Sequence, residues 1–332
     1  MEMFYVLSVF LLLGALINSR QQKLFIVVSF IILFILAAFR DTNVGTDTLG
    51  YERIFLRIKA GGTAIQEIGW QALNKIVIYF NGGFEDLLIV SSLLILTPVF
   101  YVAKKYSVNP MLSIFLYYAF YLYLQSFNIT RQSIAISIIL CAYILLINKK
   151  NLFFVLLVLL AATFHTTALL CLPLIFVNRI PDKPIIYLVL MGLTMVMGWV
   201  LSDYIINRLA NLLGYENYLK WDELDGSGGL YLIILNAFFV FVLFTAKNRG
   251  VLFKLFFVFI VMANLTVKVP YGYRLIFYFT IIQVLYLPYF INNNKLLKAR
   301  PLIFLLIVLY AYLVFSRSAG KGGVIPYINT LF

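Results

Sequence analysis

Charge is scarce in this chain, and so are the side chains that usually carry metal or redox chemistry. Of 332 residues, 12% are Asp, Glu, Lys or Arg, one is histidine and two are cysteine. A lone imidazole, His165, excludes a multi-histidine metal centre. Cys141 and Cys171 fall inside apolar runs with no metal-like spacing, so they read as small interior residues. No Walker sequence and no Gly-x-Gly-x-x-Gly after a strand-like run occurs, which argues against ATP-driven chemistry. The first apolar run, Met3 to Ile17, follows Glu2 rather than a basic stretch and lacks a small-x-small cleavage site. It is expected to remain as a span.

Apolar side chains are what the chain has in excess. At 63% hydrophobic residues and a mean hydropathy of +0.98, it cannot be water-soluble. Apolar segments recur near 3–17, 24–39, 86–103, 111–125, 132–147, 152–164, 166–177, 185–201, 230–246, 251–267, 274–291 and 301–315. They predict an all-α polytopic membrane protein with about twelve transmembrane helices (10–14), forming a single integral-membrane domain over 1–332. Several segments are nearer 15 residues than the roughly 20 of a perpendicular span. Residues 152–177 fit either two short helices around His165 or one bent hairpin. No internal repeat is visible.

The net charge of +13 reports orientation rather than a nucleic-acid partner. Fourteen of the 26 cations, among them Lys104, Lys105, Lys149, Lys150 and Arg179, lie in the short loops 18–23, 104–110, 148–151, 178–184, 247–254 and 292–300. The positive-inside rule makes those loops cytoplasmic, so both termini and the longer loops 40–85 and 202–229 face outward. Each long loop carries apolar stripes at helical spacing: Leu49, Ile54, Phe55 and Ile58, then Trp70, Leu73, Ile76, Val77 and Phe80, and later Ile205, Leu209, Leu212 and Leu213. These predict amphipathic helices in the interface, the first two separated at Gly61-Gly62.

Four outward clusters place polar or ionisable groups at the ends of apolar helices, where burial is costly without a partner or ligand. They are Arg40 to Asp47, Asn128 to Gln132, Phe164 to Thr167, and Tyr271 to Phe279. Arg40, Asp41, Arg131 and Arg274 are each compatible with interface anchoring as well as with ligand contact, and His165 with a satisfied interior position. The 23 Tyr and 31 Phe are mostly packing, though those in outward loops suit sugar rings. Three outward arginines suit pyrophosphate, because guanidinium is planar, permanently charged and bidentate. A lipid-linked pyrophosphate is already a good leaving group. The protein would then need to stabilise its charge and orient a hydroxyl nucleophile, with no metal or cofactor, and Asp47, Asp41 or His165 as proton acceptor.

The residues so assembled resemble a known family. Phe39-Arg40-Asp41 followed by Val44-Gly45-Thr46-Asp47-Thr48 and Tyr51, then Glu67-x-Gly69-Trp70-x2-Leu73-Asn74, Asn128-x2-Arg131-Gln132-x2-Ala135, Ala161-x2-Phe164-His165-x-Thr167-Ala168, Arg274-x3-Tyr278-Phe279 and Pro326-Tyr327 carry the resemblance. Across essentially its whole length the chain resembles the EpsG family of exopolysaccharide-associated membrane proteins, which is similar in turn to Wzy-type polymerases of O-antigen and capsular polysaccharide. Thr167 stands where the pattern more often has Ser, which keeps the hydroxyl.

The resemblance implies a metal-independent membrane glycosyltransferase in the bacterial cytoplasmic membrane, joining undecaprenyl-pyrophosphate-linked repeat units at the outer face. It implies Arg131 and Arg274, with Arg40 nearby, as pyrophosphate ligands. Asp47 is then the first choice of base, with His165 second and Asp41 also available. Gly45, Thr46, Asn128, Gln132 and Tyr278 would shape the substrate site. The pocket would be similar to those of GT-C membrane glycosyltransferases, open sideways to both lipid substrates, with a chain-length regulator and a flippase as partners. The alternatives are a transporter or flippase of the lipid-linked unit, a membrane O-acyltransferase acting on the polymer, and a non-catalytic assembly subunit.

Overall fold

A computed structural model of the chain describes residues 2–201, 228–269, 272–318, 320 and 322–330. The described residues are all-helical, with isolated bridges but no strand. The amphipathic helix expected around Ile205 to Leu213 lies outside the described residues, as does Tyr271.

In a bilayer no water is available to backbone groups, so a run of Ile, Leu, Phe and Val closes into a helix whatever its intrinsic propensity. The first two such runs form α1 (Glu2–Leu16) and α2 (Lys23–Ala38). The 40–85 loop then folds into α3 (Thr48–Lys59) and α4 (Ile68–Tyr79), followed by the long α5 (Phe84–Tyr106). A polar knot fixes where the next helix, α6 (Pro110–Ala119), begins. Asn109 accepts from the Leu112 N–H (3.0 Å) and from Gln22 Nε2 (3.0 Å), and donates to the Ala15 carbonyl (2.9 Å). Buried Gln22 in turn donates to the Ile17 carbonyl (2.8 Å) and accepts from the Met111 N–H (3.1 Å). The ends of α1, α2 and α6 are thereby joined at the basic side.

At the centre of the molecule α6 stops at Tyr121, which takes φ +64°, and resumes as the single turn α7 (Leu122–Gln125) before α8 (Thr130–Ile147). Every residue from Pro110 to Thr130 is buried. The tyrosines in this spine find carbonyl partners on neighbouring helices, Tyr118 at Phe4 and Tyr123 at Leu33, both at 2.8 Å.

Helix α9 (Asn151–Phe164) reverses at His165 into a 3₁₀ helix, Thr166–Arg179, that packs back along it. Of the two arrangements open for 152–177, the chain adopts the pair of short helices. A 3₁₀ helix rises about 2.0 Å per residue, so its 14 residues reach about 28 Å, where an α-helix of that length reaches about 21 Å. The remaining elements are α10 (Pro184–Val196), loosening into a π turn at Met197–Leu201, then α11 (Gly228–Thr245), α12 (Val251–Leu265), α13 (Gly272–Thr280), α14 (Gln283–Asn292) and α15 (Arg300–Ser318). The apolar segment expected at 274–291 is therefore interrupted between Thr280 and Gln283.

All twelve apolar segments are helical, but helix length does not establish about twelve crossings. Four described helices are long and apolar enough to span: Phe84–Tyr106, Thr130–Ile147, Arg274–Asn292 with α13 and α14 taken together, and Leu297–Ser318. Eight shorter apolar helices run 10–17 residues. Fifteen α-helical residues cover only about 23 Å of a roughly 30 Å hydrocarbon core. Membrane residence is nonetheless supported by apolar stripes exposed among the described residues, such as Leu302, Leu305, Leu309 and Leu313 on α15, and Ile185, Val189 and Leu193 on α10, of a kind rare on soluble monomers.

The two amphipathic helices of the 40–85 loop form, and Phe55, Ile58, Trp70, Leu73 and Val77 of the expected stripes are buried. Tyr51 and Phe55 pack with Trp70, Leu73 and Val77 against Phe84, Leu87 and Ile95 of α5. Leu49, Ile76 and Phe80 of those stripes are exposed. Chain direction separates two ends of the bundle. Arg40 follows α2, Arg131 begins α8, His165 ends α9 and Arg274 begins the Arg274–Asn292 span, whereas Lys104, Lys105, Lys149, Lys150 and Arg179 stand at the opposite helix ends.

Beyond α15 the chain returns to strap the 40–48 loop. Asp41 N–H meets the Ile328 carbonyl (3.0 Å), Gly45 N–H meets Gly323 (2.9 Å), Thr330 N–H meets Phe39 (2.9 Å), and the Tyr327 hydroxyl meets Leu36 (2.9 Å). Gly45 takes φ +92°, and a Cβ there would lie 2.8 Å from the Phe127 carbonyl oxygen. Gly45→Ala is therefore expected to cost about 2 kcal/mol or more of stability. Thermal unfolding in detergent checks this, and an unchanged midpoint would show that the loop is not pinned.

Candidate functional site

The four polar clusters converge. Asn128 Oδ1 accepts from the Thr46 N–H (2.6 Å) and hydroxyl (2.9 Å), joining the 40–48 loop to the start of α8. Gln132 Nε2 donates to the Arg274 carbonyl (2.6 Å), joining α8 to α13. The Thr167 hydroxyl donates to the Tyr278 hydroxyl (3.1 Å), joining the reversal after α9 to α13. Arg274 Nη2 lies 3.9 Å from Asp47 Oδ2, closing the ring of elements.

At the centre is a residue that sequence reasoning placed in a motif but not in the site, Glu67. Its Oε2 forms an ion pair with Arg131 Nη1, while its Oε1 meets His165 Nδ1 at 3.1 Å and the Thr166 N–H at 3.3 Å. Glu67 stands just ahead of α4, in the N-cap position. Gly69 lets α4 approach the end of α9, since a Cβ on it would sit 2.7 Å from the Thr163 carbonyl oxygen. The available signal was a carboxylate directly before an apolar helix in the 40–85 loop, two residues ahead of that glycine. Tyr51 was also missed; Arg131 lies over its ring, 5.9 Å from the centroid.

Side-chain exposure runs from 18% for Glu67 to 39% for Arg274, so the cluster is reachable from solvent while partly desolvated. Burial alone would push the Glu67 carboxyl up. Hydrogen bonds from its own backbone N–H and that of Thr166, with Arg131 and His165 beside it, outweigh burial and hold it below the usual carboxylate value. His165 is pulled below 6.5, first by burial and then by Arg131 and Arg274, against the opposing pull of Glu67. Burial raises the Tyr51 phenol, with Arg131 and Arg274 opposing. At neutral pH the centre therefore holds an ionised Glu67, a neutral imidazole and two guanidinium groups.

Arg40 and Asp41 are positioned differently. Arg40 is 3% exposed, donates through Nη1 to the Ala37 carbonyl and lies 5.0 Å from the Phe127 ring centroid. Its Nε and Nη2 have no hydrogen-bond partner among the described residues. Burial lowers its pKa to about 10, which leaves it charged. It sits behind the loop, within electrostatic reach of Tyr51, rather than among the half-exposed groups. Asp41 Oδ1 accepts from the backbone N–H (2.8 Å) and side-chain amide (2.7 Å) of Asn43, closing its own turn.

Both shifts at the centre have the same sign for stability. His165 and Glu67 have folded-state pKa values below their unfolded ones, so the unfolded chain binds protons first as pH falls. Stability is expected to be full above 6.5, to decline below it as His165 is forced to charge, and to decline again below 4.5 through Glu67. Unfolding midpoints measured from pH 7.5 to 5.5 check this, because His165→Gln should flatten the slope in that window.

Comparison with known proteins adds the family. No curated protein and no solved structure matches the chain. The model of the EpsG family matches residues 23–329, a stretch that contains every residue of the cluster. The chain belongs to the EpsG family.

Proposed function

We propose that this protein is a polysaccharide polymerase that joins lipid-pyrophosphate-linked oligosaccharide repeat units at the outer face of the bacterial cytoplasmic membrane. Family membership makes it a membrane protein of polysaccharide biosynthesis. The observation that supports the finer reading is the meeting of two guanidinium groups with a carboxylate–imidazole pair at one end of an apolar bundle. The short basic loops stand at the other end, as the positive-inside rule requires of an outward-facing site.

In this reading the donor is the growing glycan on undecaprenyl pyrophosphate, and Arg131 and Arg274 hold the pyrophosphate. The terminal hydroxyl of an incoming lipid-linked unit attacks the donor's anomeric carbon. A new C–O bond forms, the bond from carbon to the pyrophosphate oxygen breaks, and the lipid pyrophosphate leaves as an anion. The hydroxyl proton passes to a base. His165 suits that task better than Asp47, since it is neutral at pH 7 and held by a carboxylate through one nitrogen. The Asp47 carboxylate faces Arg274, where it orients that guanidinium. Tyr51 and Tyr278, both buried, support the cluster from within rather than facing sugar rings as expected of Tyr278.

Arg131→Ala and Arg274→Ala are each expected to lower chain extension about 10²- to 10³-fold, the usual effect of removing one stabiliser of developing negative charge, while the protein still accumulates in the membrane. Long polymer from either mutant would remove that residue from the site. Since two guanidinium groups meet the leaving group's charge, extension is expected to survive chelation of divalent cations. Purified protein reconstituted with synthetic lipid-linked units decides the function itself. A length ladder supports polymerisation, and movement between leaflets without new bonds supports transport.

A further inference from the structure

Glu67 divides its two oxygens between two partners with different chemical tasks. Oε1 meets His165 Nδ1 and the Thr166 N–H, while Oε2 meets Arg131. An ionised carboxylate can only accept hydrogen bonds, so a neutral His165 must carry its proton on Nδ1. That leaves Nε2 bare. A free imidazole in water prefers the other tautomer, so the local contact selects the form that can accept a proton at Nε2. Arg131, meanwhile, is engaged by a carboxylate in the very place where a phosphate would be its stronger, bidentate partner.

We propose that Glu67 is a positioning residue that fixes His165 as the Nδ1–H tautomer, with Nε2 free to take the acceptor's proton, and that holds Arg131 in place until pyrophosphate displaces it. The proposal rests on the polymerase reading and adds a coupling to it. Donor binding draws Arg131 from Glu67 toward phosphate, and Glu67 is then left to His165 alone at the moment the imidazole gains a proton. The charged groups bearing on His165 are Glu67 ahead of α4, Arg131 on α8 and Arg274 on α13. The single anion among them is the one in direct contact.

The chain's one histidine makes the test direct, because ¹⁵N-histidine labelling gives signals from a single imidazole. The wild-type protein in nanodiscs should show Nδ1 protonated and Nε2 bare, with a midpoint below 6.5. Glu67→Gln should lose the tautomer preference and move the midpoint down by about one unit, since a nearby opposite charge is removed. Where the ladder assay works, Glu67→Gln should lower kcat about 10²-fold, with KM for the donor unchanged or reduced and the acid limb of the pH profile moved down with the imidazole midpoint. Arg131→Ala should lower kcat and, unlike Glu67→Gln, also raise KM for the donor. An Nε2–H tautomer in the wild type, or identical titrations for wild type and Glu67→Gln, would overturn the assignment even if the ladder forms. The expected spectra without any ladder would leave Glu67 positioned as stated and overturn the polymerase reading alone.

Discussion

A single carboxylate ties together the part of the molecule that can do chemistry. Through its two oxygens Glu67 binds the loop ahead of α4 to the first turn of α8 and to the reversal after α9. Such a pairing is worth little in bulk water, but partial burial among apolar helices makes an unpaired charge expensive. The surrounding architecture follows from that need. Gly69 brings α4 close to α9, α9 stops at His165 instead of continuing, and the first turn of α8 turns Arg131 to Glu67. Gln132 and Arg274 then draw in α13 by way of a backbone carbonyl.

Elsewhere some polar side chains find partners on neighbouring elements, which lowers the cost of placing them among apolar helices. Asn236 and Asn264 exchange side-chain hydrogen bonds (2.7 and 3.0 Å) between α11 and α12. Asp182, the one acidic residue on the basic side, pairs with Arg249 at 2.6 Å. Buried Arg40 has no such anion, and much of its guanidinium rests on the face of Phe127 instead.

The amount of this that was legible from sequence differs between fold and site. Apolar runs located all twelve helical segments, because in lipid a hydrophobic run has little choice but to be helical. They did not locate interruptions such as the one at Tyr121, where the break depends on close packing around a buried spine. The edges of the buried faces were also beyond reach: Leu49, Ile76 and Phe80 satisfy an amphipathic pattern as well as Tyr51 and Asn74 do, and tertiary packing decides which of them turn inward. The polar clusters at helix ends were visible because charge is so rare in this chain. Glu67 was not singled out, since its partners lie 64 and 98 residues away and nothing local marks a carboxylate as paired. Arg40 illustrates the converse, a conspicuous charge in a motif whose burial only the folded loop reveals.

The strap formed by residues 322–330 has a bearing on how the protein comes into being. Phe39 and Thr330 are 291 residues apart in sequence, yet their backbones meet, and Gly45 and Thr46 lean on the same returning segment. During synthesis the early loop emerges long before the piece that shapes it. A nascent chain still threading through the insertion machinery therefore holds its Asp47 region unsupported. The described geometry of the 40–48 loop is therefore completed late in biogenesis, after α15 has been made.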